Sequence, residues 1–256
     1  MIRIKKIRIP ALPTKEPRRL YVYLPKEYAR SERRYPVLYM FDGHNVFYDS
    51  HATYGKSWGM KEYLTRTGLP LILVAVECNH EGERRMNEYS PWDLDIPEFG
   101  HLEGVGKATM DWMSGPLKQH IDRTYRTLPD REHTLIAGSS MGGLMALYAV
   151  TQYNDVYSRA AALSPCFWAG GEKLHELLKR PHRDTTRVYM DYGTGEIEPG
   201  ETIDLEDMFT GAAELSGAGA EVAARAVPGA LHNEAAWEKR IPIFMDYLFA
   251  EKASVR

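Results

Sequence analysis

The chain is poor in cysteine, in net charge and in long apolar runs, and each shortage excludes something. Of its 256 residues only Cys78 and Cys166 are cysteine, and neither has a C-x-x-C partner. That count argues against a disulfide framework and for a reducing compartment, so buried free thiols are expected. A formal net charge of −3, with no long basic run, argues against nucleic acid or an anionic membrane as the main partner. No apolar run approaches the ~20 residues of a membrane-spanning helix. The opening Met1-Ile2-Arg3-Ile4-Lys5-Lys6 alternates apolar and charged residues. It reads as a strand without the apolar core of a signal peptide, and the expected location is cytoplasmic. No G-x-G-x-x-G follows a strand, and the lysine-bearing Gly-rich loop of nucleotide binders is missing. His101-Leu102-Glu103 and the acidic loops offer ligand types without a recognised spacing, so no metal is expected. Without an internal repeat, low-complexity tract or linker, residues 1–256 read as a single domain.

What is present is an alternation of strands and helices. Hydrophobic residues make up 44% of the chain, enough to bury a sizeable core. Ile2, Ile4, Ile7 and Ile9, then Leu20, Val22 and Leu24, mark an antiparallel pair at a sheet edge. Val37-Leu38-Tyr39-Met40-Phe41 and Leu71-Ile72-Leu73-Val74-Ala75-Val76 are unbroken apolar runs, the signature of central parallel strands. Ser57 reads as the N-cap of a helix through Met60, Tyr63 and Leu64. Residues 77–105 read as a long irregular stretch, and loops of that length are usually functional. A helical stretch from Lys107 to Ile121 is interrupted near Gly115-Pro116. Later strands are expected at 160–165, 188–193 and 222–227, with helices between them. Trp237 to Phe249 reads as one closing amphipathic helix. Strands alternating with helices predict a mostly parallel central sheet covered on both faces.

The chain is organised around Leu135-Ile136-Ala137-Gly138-Ser139-Ser140-Met141-Gly142-Gly143, where an apolar strand gives way abruptly to small residues and then to a helical pattern. Gly138-Ser139-Ser140-Met141-Gly142 fits G-x-S-x-G, the turn that presents a nucleophilic serine at a strand-to-helix corner. A serine there needs a base, and the base needs an orienting acid, in the order Ser, Asp or Glu, His. His232, in Pro228-Gly229-Ala230-Leu231-His232, is the one histidine after Ser140 placed in a loop after a strand. Glu196 lies just past the strand before last, where the acid belongs. Asp191, Glu198, Asp204 and Asp207 stay open as alternatives. Two backbone donors are needed to hold an oxyanion: the N–H of Met141, and the N–H of His44 in the loop after Phe41. Trp58, Trp92, Phe167 and Trp168 fall in or beside the loops around this end of the sheet. They would line an acyl or aromatic-ester pocket or pack beneath the loops.

These features resemble the Putative esterase family of α/β-hydrolases, which includes enterochelin esterases, feruloyl and acetyl-xylan esterases, S-formylglutathione hydrolases and mycolyltransferases. The resemblance runs through Tyr35 to Phe47, Ser57-Trp58-Gly59, Arg85 to Pro91 and Gly138 to Gly143. It continues in Leu163-Ser164-Pro165 with Phe167-Trp168, and in His232-Asn233-Glu234 with Trp237. It implies an α/β-hydrolase fold, no cofactor, Ser140 as nucleophile and His232 as base. His44 stands where many relatives carry glutamine. The expected activity is hydrolysis of a small-molecule carboxylic ester, with siderophore lactones, short acyl esters, sugar esters and thioesters all open. Acyl transfer to an alcohol would use the same nucleophile. A binding protein on a hydrolase fold is the alternative outside catalysis.

Overall fold

The computed structural model describes residues 1–13, 16–196 and 203–250. β1 (Ile2–Ile7) and β2 (Arg18–Tyr23) pair antiparallel, with Ile2 opposite Tyr23. β3 (Val37–Met40), α1 (Met60–Thr67) and β4 (Ile72–Val76) follow. α2 (Arg84–Glu88), a small hairpin of β5 (Leu94–Ile96) and β6 (Gly100–Leu102), α3 (Gly106–Trp112) and α4 (Lys118–Thr124) lead to β7 (Thr134–Ser139). Then come α5 (Met141–Gln152), β8 (Arg159–Leu163), α6 (Phe167–Leu178), β9 (Arg187–Gly193), α7 (Ile203–Gly217) and β10 (Glu221–Val227). Two short helices, α8 (Glu234–Glu238) and α9 (Ile241–Phe249), complete the described chain.

Eight strands form one sheet in the order β1-β2-β4-β3-β7-β8-β9-β10, antiparallel through β1, β2 and β4 and parallel beyond. The unbroken apolar runs are central because both of their faces are covered. Val37, Tyr39, Ile72, Val74 and Ile136 face a core completed by α3, α4, α5, α6 and α7 through Met110, Ile121, Leu144, Leu174 and Met208. Leu38, Met40, Leu73, Leu135 and Ala137 face the other way, onto Leu64 of α1, Trp237 of α8 and Phe244 of α9. Every residue of α5 from Met141 to Thr151 is buried, and a helix apolar all round is one enclosed by its neighbours. Among the described residues no helix is long and apolar enough to cross a membrane. Cys78 and Cys166 are both buried and free.

The structure departs from the sequence reading at three places. Ser57 is not the N-cap of α1; Gly59, in the left-handed region at φ 68°, takes that position. The Ser57 hydroxyl instead donates to Asp49 at 2.7 Å and accepts from the Gly59 N–H at 3.3 Å. Residues 77–105 are not irregular throughout, since α2 and the β5–β6 hairpin lie within them. Trp237 to Phe249 is not one helix. Pro242 lacks the N–H that would continue an earlier helix but suits a first turn, so α9 starts afresh.

That break turns Arg240 inward, where it is 1% exposed. Its guanidinium meets Asp191 at 2.8 Å and Glu196 at 3.2 Å, and donates to Ser164 Oγ at 3.2 Å. Burial holds the Asp191 carboxyl above its ordinary range, although Arg240 and the Tyr189 hydroxyl at 2.7 Å pull it down. Removing one partner of such a buried pair strands the other, at a typical cost of about 3–5 kcal/mol. Arg240→Leu should therefore lower the unfolding free energy by about that amount in urea denaturation. A loss below about 1 kcal/mol would mean that Asp191 and Glu196 do not need this cation.

Candidate active site

Four described non-glycine residues have positive φ, and three of them end neighbouring strands. Asp42 (φ 53°) follows β3, Ser140 (φ 59°) follows β7 and Ser164 (φ 45°) follows β8. Such backbone costs of order 1–3 kcal/mol per residue and persists only where the surroundings enforce it. At Ser140 the enforcement is visible. Its N–H donates to Leu163 O at 2.9 Å, and its carbonyl accepts from Gly143, Leu144 and Cys166. A Cβ at position 138 would sit 2.4 Å from Gly142 O, so this close approach excludes any side chain. The turn leaves Ser140 at the N-terminus of the twelve-residue α5, whose first N–H groups have no intrahelical acceptor. The Ser140 hydroxyl lies 3.4 Å from the Cys166 thiol.

The second half of the site is built from two loops zipped together. Gly195 N–H donates to Ala230 O at 3.0 Å, and Gly229 N–H donates to Thr194 Oγ1 at 2.8 Å. A Cβ at Gly193 would lie 2.2 Å from Ala230 O, so glycine is required by the closeness of the loops. This contact sets Glu196 against His232. Glu196 Oε2 and His232 Nδ1 are 2.7 Å apart, with the carboxylate side chain 1% exposed and the imidazole 42%. Glu196 Oε1 accepts from Ser164 Oγ at 2.7 Å, Gly193 N–H at 3.0 Å and Arg240 Nη2 at 3.2 Å. Burial works to raise the Glu196 carboxyl, but the hydrogen bonds from His232, Ser164 and Arg240 outweigh it. The group is held below the ordinary glutamate range. An ionised carboxylate only accepts, so Nδ1 is the donor in this contact and Nε2 is turned away from it. The ring stands edge-on to Trp237, with centroids 5.0 Å apart. No hydrogen bond links His232 to Ser140 in this conformation.

The third element is the turn Asp42-Gly43-His44-Asn45 after β3. Arg85 grips Asp42 with two hydrogen bonds of 2.8 and 2.7 Å, and the Asp42 N–H donates to the Tyr89 hydroxyl at 3.0 Å. Burial raises the Asp42 carboxyl, but Arg85 outweighs it and the group stays below its usual range. Asn45 Nδ2 donates to Glu234 Oε1 at 2.9 Å, which ties this turn to the His232 loop. His44 is buried, with Nε2 3.0 Å from Thr53 Oγ1, and burial lowers its pKa to about 4, so the ring is neutral. The backbone N–H groups of His44 and Met141 occupy first-turn helical positions, where intrahelical acceptors are lacking.

The other acids have different duties. Asp191 is fully buried on Arg240, Asp204 accepts from Tyr192 OH at 3.1 Å, and Asp207 lies 3.8 Å from His175. Glu198 lies outside the described residues. The four aromatic candidates separate. Trp58 is 2% exposed and stacked on Trp237, and Phe167 is wholly buried. Trp92 and Trp168 line one open groove of about 310 Å³ with the β5 strand, and Ser140 and His232 are not in its lining. Four contributors carry no spacing signal in the sequence. Arg240 and Ser164 support Glu196, Arg85 holds Asp42, and Glu234 holds Asn45. Of these only Ser164, Arg85 and Glu234 fall within the stretches that carry the resemblance, and none has a role there.

Comparison with known proteins agrees with this architecture. The Bacillus subtilis (strain 168) protein YbbA, itself uncharacterised, is 24% identical over 191 residues, covering 73% of this chain and 72% of its own. The esterase Rv1288 of Mycobacterium tuberculosis (strain ATCC 25618 / H37Rv) is 27% identical over 144 residues; these are 56% of this chain and only 28% of that protein. The crystal structure of an IroE-like serine hydrolase from Shewanella oneidensis has a TM-score of 0.77 at 20% identity, over 97% of this chain and 79% of that one. At that identity it establishes the α/β-hydrolase fold. The family described as "Putative esterase" matches residues 13–254, almost the whole chain, and to that family of carboxylic ester hydrolases this protein belongs.

Proposed function

We propose that this chain, acting as one domain, hydrolyses a small-molecule carboxylic ester through an acyl-enzyme on Ser140, with His232 as base and Glu196 as orienting acid. The observation that carries the reading is the 2.7 Å contact between the buried Glu196 carboxylate and His232 Nδ1, built at the same sheet end as the strained Ser140 turn. Ser140 Oγ attacks the ester carbonyl carbon while His232 Nε2 takes its proton. The carbonyl oxygen becomes an oxyanion between the N–H groups of Met141 and His44. The intermediate then collapses, the C–O bond to the alcohol breaks, and the imidazolium returns the proton to the leaving alcohol. Water, deprotonated by the same nitrogen, cleaves the acyl-enzyme and releases the acid. The partial positive end of α5 and the fixed turn after β3 stabilise charge that exists only in the transition state.

The Ser140–Cys166 contact fits a resting arrangement that substrate replaces, since catalytic hydrogen bonds are often long or unmade before substrate binds. Glu196 fixes the imidazole tautomer and supports its charge once it is protonated. The same interaction stabilises the fold. Because the folded carboxyl sits below its unfolded value of 4.5, its contribution is full above that value and is lost as pH falls through the folded pKa.

Ser140→Ala should reduce kcat by on the order of 10⁴ to 10⁶ in hydrolysis of an activated ester, with an unchanged circular dichroism spectrum. His232→Ala should cost a similar factor, and the double variant little more than either single one, because the pair acts as a unit. Additive losses would mean that they do not work together. Glu196→Gln should lower kcat by roughly 10² to 10⁴ with KM little altered, whereas Asp204→Asn and Asp207→Asn should stay within about tenfold of wild type. In acid denaturation the Glu196→Gln protein should lose stability less steeply below pH 4.5 than wild type. Parallel acid branches would show that Glu196 is not the linked group.

A further inference from the structure

β3 and β4 are parallel neighbours, so their C-terminal ends deliver His44, Cys78 and His80 to one place beside the turn after β3. One ligand-type atom from each, a ring nitrogen or the sulfur, lies within 4.8 Å of the other two. Three further features make this more than proximity. First, His44 is 2% exposed, and its Nδ1 is buried with no hydrogen-bond partner among the described residues. An orphaned buried nitrogen normally signals a missing partner. Second, each imidazole has its Nε2 already held, by Thr53 Oγ1 at 3.0 Å in His44 and by Glu77 Oε1 at 3.1 Å in His80. Among the described residues Nδ1 is thereby left as the free nitrogen on both rings. An outer carboxylate or hydroxyl fixing the ring is the usual support of a metal-binding histidine. Third, Glu77 is itself fixed by Arg19 at 2.6 and 2.9 Å, so the support is rigid.

We propose that His44, Cys78 and His80 form a site for one borderline-soft divalent cation of the Zn²⁺ class, with Nδ1, Sγ and Nδ1 as ligands and a fourth position open. Two nitrogens and one thiolate are the donor set that such a cation takes and that magnesium or calcium does not. Ligands on a tetrahedral zinc at ordinary bond lengths lie about 3.3 to 3.8 Å apart. The site therefore tightens by up to about 1.5 Å on binding, and His80, the exposed member of the set, turns about its Nε2 contact with Glu77 to do so. Binding forms the metal–sulfur bond and expels the Cys78 thiol proton to solvent. Asp42, which the thiol faces, and Glu77 lie beside the cation, each already paired with an arginine, Arg85 and Arg19, so the thiolate supplies the site's own negative charge. The spacing in the chain hides this set, because His44 and His80 come from different strand ends.

Co²⁺ is the probe, because it takes zinc sites and reports a thiolate ligand by a charge-transfer absorption in the near ultraviolet. Chelator-treated, reduced wild-type protein titrated with Co²⁺ should develop that band with one equivalent, and Zn²⁺ should abolish it stoichiometrically. Cys78→Ser should lack the band and Cys166→Ser should keep it. His80→Gln, a change at an exposed position that leaves the core intact, should weaken Co²⁺ binding by at least about tenfold while folding normally by circular dichroism. No band in the wild type overturns the proposal. So does a band that survives Cys78→Ser, or undiminished affinity in His80→Gln.

Discussion

The carboxylate of Glu196 is the interaction on which the rest of the site depends. One of its oxygens is taken by Ser164, Gly193 and Arg240, and the other faces His232. Three donors on one oxygen leave the group no freedom to rotate. The direction of the second oxygen, and with it the plane of the imidazole, is set by the fold before any substrate arrives. The cost of that arrangement is a buried cluster of two carboxylates, which a single guanidinium must serve. That guanidinium comes from the break between α8 and α9, where Arg240 is the residue just before α9.

The strained residues tell a related story. Asp42, Ser140 and Ser164 follow three adjacent parallel strands, and each turns sharply at the same end of the sheet. Each has a task that extended backbone could not serve. Ser140 must project from a corner, Ser164 must place its hydroxyl between Trp237 and Glu196, and Asp42 must present its side chain to Arg85. The strain is local, and the buried strands beneath it, apolar on both faces, are what can hold it.

Much of the fold was legible because it rests on periodicity. Unbroken apolar runs announced β3, β4 and β7, and the small-residue corner announced the turn at Ser140. The pairing of Glu196 with His232 followed from order along the chain, since each lies after its own strand in a parallel sheet. What was not legible depends on contacts between residues distant in sequence. Nothing around Arg240 distinguishes it from a surface cation; only its neighbour Pro242 hints at a break. Ser57 has the chemistry of an N-cap, yet Asp49 captures its hydroxyl and Gly59 takes the corner. The aromatic residues were ambiguous for the same reason. Burial decides between pocket and core, and Trp58 and Phe167 lie in the core while Trp168 does not. The cluster of His44, Cys78 and His80 is the extreme case, being a product of strand adjacency alone.

The turn after β3 is where these threads meet. It is held from three directions: by Arg85 and Tyr89 through Asp42, by Thr53 through His44 and Asn45, and by Glu234 through Asn45. A donor that stabilises an oxyanion is most effective when it needs no reorganisation at the moment of reaction. In the proposed mechanism such bracing supplies that rigidity for the His44 N–H. The Glu234 contact adds something more, because Glu234 lies two residues beyond His232. The loop that carries His232 and the turn that carries the His44 N–H are therefore hydrogen-bonded to each other. The proton acceptor and the oxyanion donor of the proposed mechanism are thus joined in one connected hydrogen-bonded frame. Glu234 and Asn45 are both buried, so this part of the frame lies where water competes least for its hydrogen bonds, and the same burial raises the Glu234 carboxyl above its ordinary range.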